Sequence, residues 1–264
     1  MDAWTRAVGP ELERLEGRNP VREALKAGKR IRALWVDEAS KQDPKLDAIL
    51  RLADKRGLEV QRVARRMLDD FSRGGVHNGV IAAARPLPDR SVADILGRCA
   101  ERGKDPVLVL IDEVHYEHNV GAVMRTADAA GVSALVVPVR RGARMSPVVA
   151  RVAMGAAEHV PFVREGLSSA LATIRRSGIK VVGFEAGNKR SLYDVDLTGP
   201  IAMVFGGEDK GLSPTLVKRC DAVVSLPMQG RISTLNVSVA VGVCLYERLR
   251  QVSAESTAKD SLAR

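Results

Sequence analysis

The chain has 264 residues, 41 Lys and Arg against 32 Asp and Glu, a formal charge of +9, a pI near 9.8, and 45% hydrophobic residues. That is enough for one large or two modest cores. No apolar run approaches the ~20 residues of a membrane span, and the first residues lack the apolar stretch of a secretory signal. Cys99, Cys220 and Cys244 are widely spaced, which excludes a disulfide framework or a Cys-x-x-Cys site and points to a reducing, cytoplasmic setting. A surface this basic attracts polyanions. With only 3% aromatics, folded RNA met through phosphates and shape suits it better than single strands on stacking platforms.

In chain order, β-branched runs predict strands at 31–36, 59–63 and 80–84, then at 107–112, 134–139, 160–163, 180–184, 201–205 and 222–226. Helical patterns separate most of them, so layered α/β units with a largely parallel sheet are expected. Asn19-Pro20, Asp43-Pro44, Ser146-Pro147 and Ser213-Pro214 each place a capping side chain before a proline at a helix start. Gly28, Gly57, Gly131 and Gly178 follow helical runs, where a left-handed residue ends a helix. The two prolines in Arg85-Pro86-Leu87-Pro88 end the first unit. The expected division is a small α/β domain over 12–85, a linker with a short helix over 86–105, a larger α/β domain over 106–252, and a frayed tail over 253–264.

The common nucleotide fingerprints are missing: there is no Gly-x-Gly-x-x-Gly after a strand and no Walker A sequence. No Gly-x-Ser-x-Gly elbow occurs either. His115 and His118 lack a third ligand and read as a solvated pair, so no metal is expected. Three other segments of the second domain stand out. Asn119-Val-Gly-Ala-Val-Met-Arg-Thr-Ala follows the strand at 107–112; Asn119 can cap the next helix, and Arg125 sits in its second turn. Phe205-Gly-Gly-Glu-Asp-Lys-Gly-Leu follows the strand at 201–205, with Glu208 inside a glycine wrap. Leu226-Pro-Met-Gln-Gly-Arg-Ile-Ser-Thr-Leu-Asn-Val-Ser puts Thr234, Asn236 and Ser238 at the head of a long apolar helix, where capping explains one polar side chain but not three. Ligands of α/β sheets bind at such strand ends.

Together these segments resemble the three signature motifs of the SpoU-type (TrmH-like) RNA ribose methyltransferases of the SPOUT superfamily. In the first domain, Leu15-Glu-Gly-Arg-Asn-Pro-Val-Arg-Glu-Ala-Leu and Gly74-Gly-Val-His-Asn-Gly-Val resemble the ribosomal-protein-L30e-like substrate domain of one subgroup. The resemblance implies an L30e-like N-terminal domain, a C-terminal domain whose parallel sheet ends in a trefoil knot, and a homodimer formed around the last helix. It implies S-adenosylmethionine as methyl donor, held by Gly206, Leu226, Met228 and Leu235, and a polar constellation of Asn119, Arg125, Glu208, Thr234 and Asn236 around the reacting ribose. Thr234 stands where many members carry Ser. The implied substrate is a ribose 2′-hydroxyl of 23S rRNA, typically a guanosine of the peptidyl-transferase P loop. An antibiotic-resistance type of rRNA methyltransferase, a tRNA ribose methyltransferase and a catalytically silent ribosome-assembly protein are the alternatives. Lys26, Lys29, Arg30, Arg32, Arg62, Arg65 and Arg66 give the first domain a character suited to phosphate contact, and His77-Asn78 reads as a flexible polar tip.

Overall fold

The computed structural model describes residues 3–28, 30–41, 43–140, 142–207 and 211–262, and side chains as far as residue 256. The chain divides into two compact units, one formed by Met1–Pro88 with Met145–His159, the other by Asp89–Arg144 with Val160–Arg264. Among the described residues no helix is long and apolar enough to cross a membrane.

The first unit runs α1 (Ala3–Val8), β1 (Glu13–Glu16), α2 (Arg18–Ala27), β2 (Ile31–Asp37), α3 (Pro44–Lys55), β3 (Val60–Val63), α4 (Arg65–Ser72) and β4 (Val80–Ala84). Its sheet has the order β1-β4-β2-β3, with β4 antiparallel to both neighbours and β2 parallel to β3. One face packs Leu34, Val36 and Ala82 against Leu25, Leu46 and Ile49. The other carries Trp4, Trp35 and Phe71 edge-to-face, with ring centres 5.2–5.9 Å apart, a geometry that adds quadrupolar attraction to burial. β1 was not expected as a strand. Its sequence Glu-Arg-Leu-Glu has no apolar alternation, and it is held by pairing with β4 and by the Arg14–Glu16 ion pair at 2.7 Å.

The second unit begins with α5 (Val92–Glu101), the short helix expected near 86–105. Val92 and Ile95 of α5 are buried in this unit's core. Then follow β5 (Val107–Ile111), α6 (Glu117–Ala129) and β6 (Ala134–Val137); α7 (Pro147–Val152), which groups with the first unit; and β7 (Phe162–Arg164), α8 (Leu167–Arg176), β8 (Lys180–Phe184), β9 (Ile201–Phe205), α9 (Pro214–Val217), β10 (Ala222–Val224) and α10 (Val237–Leu262). The six strands lie in the order β10-β8-β9-β5-β6-β7 and every pair is parallel. Sheets of this kind are covered on both faces, which is why β5 and β9 read as unbroken apolar runs.

Asp43, Ser146 and Ser213 cap α3, α7 and α9 through their side chains, as expected. Asn19 does not: α2 starts at Arg18, two residues earlier than expected, behind Gly17, and Asn19 Nδ2 is bonded to Met154 Sδ at 3.3 Å. Gly57, Gly131 and Gly178 adopt the left-handed conformation, whereas Gly28, with φ 179°, is extended. Arg30, expected to meet phosphate, is instead clamped on the buried Glu158 carboxylate at 2.5–3.1 Å, which helps gather 145–159 into the first unit. Lys29 lies outside the described residues.

Candidate active site

The carboxyl ends of β5, β8, β9 and β10 carry the loops of interest. Phe184 and Phe205, the last residues of β8 and β9, stack at 4.7 Å with rings 9° from parallel and fix these two ends side by side. Past β9, Gly207 and Gly211 exchange both backbone hydrogen bonds, at 3.2 and 3.1 Å. A Cβ on Gly206 would run into the backbone of Gly211 and Leu212, and one on Gly207 would lie 3.1 Å from Glu113 Cβ at the end of β5. Glycine at 206 is therefore a consequence of backbone crowding, while at 207 a side chain would press on Glu113. Glu113 itself holds a left-handed φ of 50°, an unusual state for a residue with a side chain. Glu208, expected inside this wrap, lies outside the described residues.

Past β10, the chain folds against the β8–β9 connection. Ser225 N donates to Arg190 O at 2.9 Å, Ser225 Oγ to Asn188 O at 2.7 Å, and Leu192 N to Ser225 O at 2.8 Å. Between these stretches lies a cleft of about 570 Å³, lined by Ala186, Gly187 and Asn188 on one side and by Leu226, Pro227 and Met228 on the other. Its volume is that of a small-molecule site. Of the residues expected to hold the donor, Leu226 and Met228 line it. Gly206 and Leu235 do not; Leu235 is exposed in the loop that leads to α10. Residues 186–191 were not foreseen. The one available signal was Gly187-Asn188 just beyond a predicted strand, at the end of a sheet where ligands bind.

The expected polar constellation is brought together in part. Asn236 Nδ2 donates to Asn119 Oδ1 at 3.1 Å, joining the first and third segments across 117 positions. Asn236 Oδ1 accepts from Ser238 N at 2.9 Å and Ser238 Oγ at 2.6 Å, so this one side chain caps α10 and reaches α6. Asn119 is not a helix cap: α6 begins at Glu117 behind Tyr116, leaving Asn119 inside the first turn. Close packing of α10 on α6, with Gly242 against Thr126, holds the two asparagines in register. Arg125 is exposed on α6 and makes no hydrogen bond or ion pair among the described residues. Thr234 is exposed in the loop before α10 and likewise contacts neither asparagine by a hydrogen bond.

His115 and His118 are exposed, and among the described residues no group of three or more His, Cys, Asp or Glu side chains is arranged to hold a metal ion. Burial pushes the Cys220 thiol up to about 11 and raises that of Cys244 as well, so neither is a ready nucleophile.

Residues 106–246 match the family model of the SpoU rRNA Methylase family, and residues 14–90 match that of the RNA 2′-O ribose methyltransferase substrate-binding domain. The chain is 40% identical over 244 residues to the 23S rRNA (guanosine-2′-O-)-methyltransferase RlmB of Pseudomonas putida, covering 91% of this chain and 97% of the relative. It is 39% identical over 248 residues to RlmB of Pseudomonas syringae pv. tomato, covering 93% and 98%. Among solved structures it is similar to the SpoU methyltransferase AviRb of Streptomyces viridochromogenes in complex with AdoMet, at 27% identity and a TM-score of 0.74, covering 94% of this chain and 91% of that one. With signature segments, fold and relatives in agreement, the chain belongs to the SpoU rRNA methylase family.

Proposed function

We propose that this protein transfers the methyl group of S-adenosylmethionine to the 2′-hydroxyl of a guanosine in 23S rRNA, the P-loop guanosine of the peptidyl-transferase centre. The observation that carries the reading is the Asn236–Asn119 hydrogen bond, which joins two of the signature segments, together with a cleft of ligand size at the carboxyl end of the same sheet. The cleft walls suit the donor. Small residues at Ala186 and Gly187 leave room for a flat base, Leu226, Pro227 and Met228 offer apolar surface, and a Cβ at Gly187 would meet nothing within 4 Å. Leu226 and Met228 would hold the donor directly, with Gly206 shaping the adjoining loop and Leu235 leading into the helix. When bound, S-adenosylmethionine supplies a methyl group already activated on a sulfonium.

The chain's own residues must then position the hydroxyl and manage its proton. Alignment contributes up to ~7–11 kcal/mol, and a general base ~10²–10⁴-fold, so positioning dominates. Asn236 is itself fixed by Ser238 and Asn119 and has a second N–H to orient the ribose. Arg125 is a poor base, since a guanidinium titrates above ~12. Exposed and unpaired among the described residues, it suits holding the RNA phosphate and stabilising the forming alkoxide. Glu208 and Thr234 complete the proposed constellation.

The reading carries four structural corollaries. The first domain is L30e-like, its 12–85 portion completed by 145–159, and the methyltransferase domain takes in α5 of the expected 86–105 linker together with the rest of 106–252. The C-terminal segment forms a trefoil knot, supported by the bonds of Ser225 to Arg190 and Leu192 before the chain continues into α10 on α6. The protein is a homodimer: α10 buries Val241, Cys244 and Leu245 on one face yet exposes Val239, Val243 and Tyr246 on another, apolar surface that a second copy would cover. Its place of work is the cytoplasm.

The test is incubation of the purified chain with unmodified 23S rRNA transcript and methyl-tritiated S-adenosylmethionine, followed by mapping of alkali-resistant linkages. One new 2′-O-methylguanosine in the P loop is expected. A mark on a base, on tRNA only, or nowhere overturns the proposal.

A further inference from the structure

The first unit contains a cleft of about 540 Å³ that plays no part in the chemistry above. Five cations line it, Arg18, Lys41, Lys45, Arg65 and Arg151, against one carboxylate, Asp37. We propose that this cleft holds one unpaired nucleotide of the RNA substrate, its phosphate on Lys41 and Lys45, its base over Gly17 and Pro20, and its base edge against Asn78. The proposal rests on the RNA methyltransferase reading and adds to it a defined substrate-recognition site.

The cations of the cleft divide into two kinds. Arg18 is paired with Asp43 and donates through Nε to Asn78 O at 3.2 Å. Arg65 lies 3.5 Å from the buried Asp37 carboxylate. Arg151 lies 3.7 Å from the buried Glu16 carboxylate. These three are occupied in building the walls. The ammonium groups of Lys41 and Lys45 have no hydrogen bond or ion pair among the described residues, so the cleft holds positive charge that no described side chain pairs with. An RNA phosphate neutralises such charge with release of counterions.

The walls are built in advance. Asp37 Oδ1 accepts Ala39 N at 3.0 Å and fixes the turn that leads to Lys41. Asn78 adopts a left-handed φ of 48° and is followed by Gly79, whose carbonyl accepts Asp37 N at 2.9 Å. His77, expected at an exposed tip, is instead 2% exposed beneath this turn; its Nδ1 accepts Gly79 N at 3.1 Å and its Nε2 donates to Asp69 at 2.9 Å. Gly17, with φ 96°, presents bare backbone: a Cβ there would meet only Asn78 Nδ2 and Pro20 Cδ, both at 3.9 Å. That leaves a flat floor flanked by a proline ring and a carboxamide. The volume suits a single nucleotide and not a duplex, and recognition of unpaired RNA bases works by splaying them out and bonding their edges.

The experiment uses the full chain, unmodified 23S rRNA transcript and two charge-matched double variants. Lys41→Ala with Lys45→Ala is expected to raise KM for the transcript about tenfold or more, with kcat within about twofold, and to lower the slope of log affinity against log salt by about two in filter binding without S-adenosylmethionine. Arg51→Ala with Lys55→Ala, which removes two exposed cations of α3 outside the cleft, is expected to leave KM and slope close to those of the parent. Asn78→Gly keeps the left-handed backbone and removes only the carboxamide, and is expected to raise KM severalfold. An unmoved KM and slope in the Lys41/Lys45 variant, or an equal change in the Arg51/Lys55 variant, overturns the proposal. Should the parent methylate no RNA while the Lys41/Lys45 variant still loses binding, the methyltransferase reading fails and the cleft stands.

Discussion

Two polar turns invite comparison, the one at His77–Gly79 in the first unit and the one at Thr234–Asn236 in the second. Each precedes a regular element, β4 in one case and α10 in the other. The first is tied on every side: the His77 ring bridges Gly79 and Asp69, and neighbouring backbone bonds run from Asp37 to Gly79 and from Gly17 to Val80. The second hangs on one side chain. Asn236 caps α10 and reaches Asn119, while residues 231–236 are all exposed. The difference matches the tasks proposed for them. A turn that recognises RNA can be finished in the free protein, whereas a loop that must close over donor and ribose is drawn from the weakly held end of the structure.

Changes at three positions test this contrast. The largest effect is expected at Arg125, which is exposed on α6 and has no hydrogen-bond or ion-pair partner among the described residues. Arg125→Lys should lower kcat by about 10²-fold or more, the usual cost of removing one well-placed donor from a developing oxyanion, and leave the melting temperature unchanged. Steady-state turnover with near-parental kcat would show that a point charge suffices and that bidentate geometry is unnecessary.

The next effect belongs to the rigid turn. His77→Ala removes a buried ring and strands the Gly79 N–H, which should cost roughly 1–3 kcal/mol of folding stability. Urea unfolding reads the stability, and KM for transcript should rise while kcat holds. A variant that keeps full stability would mean the turn is no more constrained than its counterpart.

A smaller and more selective effect is expected at Asn236. Asn236→Asp preserves a capping oxygen for Ser238 N and replaces the amide that donates to Asn119. Stability should stay within a few tenths of a kcal/mol, since Asp and Asn cap equally well, and kcat should fall about tenfold. Asn236→Ala should add a stability loss of about 1 kcal/mol. Equal kcat values for Asn236→Asp and the parent would remove the bridge from the proposed site.

The sequence disclosed these two turns unequally. Strands at 80–84, 180–184 and 201–205 were legible to the residue because β-branched runs bounded by turn residues have few other solutions. The caps at Asp43, Ser146 and Ser213 were legible because capping is local. What failed was non-local. His77 looked like an exposed tip since its partner Asp69 sits on α4. Asn119 looked like a cap since nothing local announces that α6 starts at Glu117, without a side-chain cap. The strand Glu13–Glu16 was hidden because its charges are settled by ion pairs and by a neighbouring strand, not by an apolar face. Ala186–Ser191 carries no periodicity at all, and becomes a cleft wall only when Ser225 is bonded to it.

The smallest expected effect compares the two ends of the parallel sheet. Its carboxyl ends carry the loose site loops; its amino ends are fastened by charge. Lys180, the first residue of β8, donates to Asp196 Oδ2 at 2.7 Å and to the Asp196 carbonyl at 2.9 Å, while Asp221 accepts Val181 N at 2.8 Å. The Lys180 ammonium, and then Thr198, hold the Asp196 carboxyl down at about 2, against an ordinary value of 3.8. A depressed carboxylate stabilises the fold at any pH above its unfolded value, and that contribution fades as pH falls from about 3.8 toward about 2. The Asp196 side chain is 63% exposed, so solvent screening limits the gain to under about 1 kcal/mol. Urea midpoints should therefore place Asp196→Asn slightly below the parent at pH 6, with the gap narrowing at pH 3 and the activity of the two proteins equal at neutral pH. A gap that widens on acidification would reverse the sign and locate the stabilising charge elsewhere. A fall in activity at neutral pH would mean that fastening the amino ends also shapes the loops at the opposite ends of the same strands.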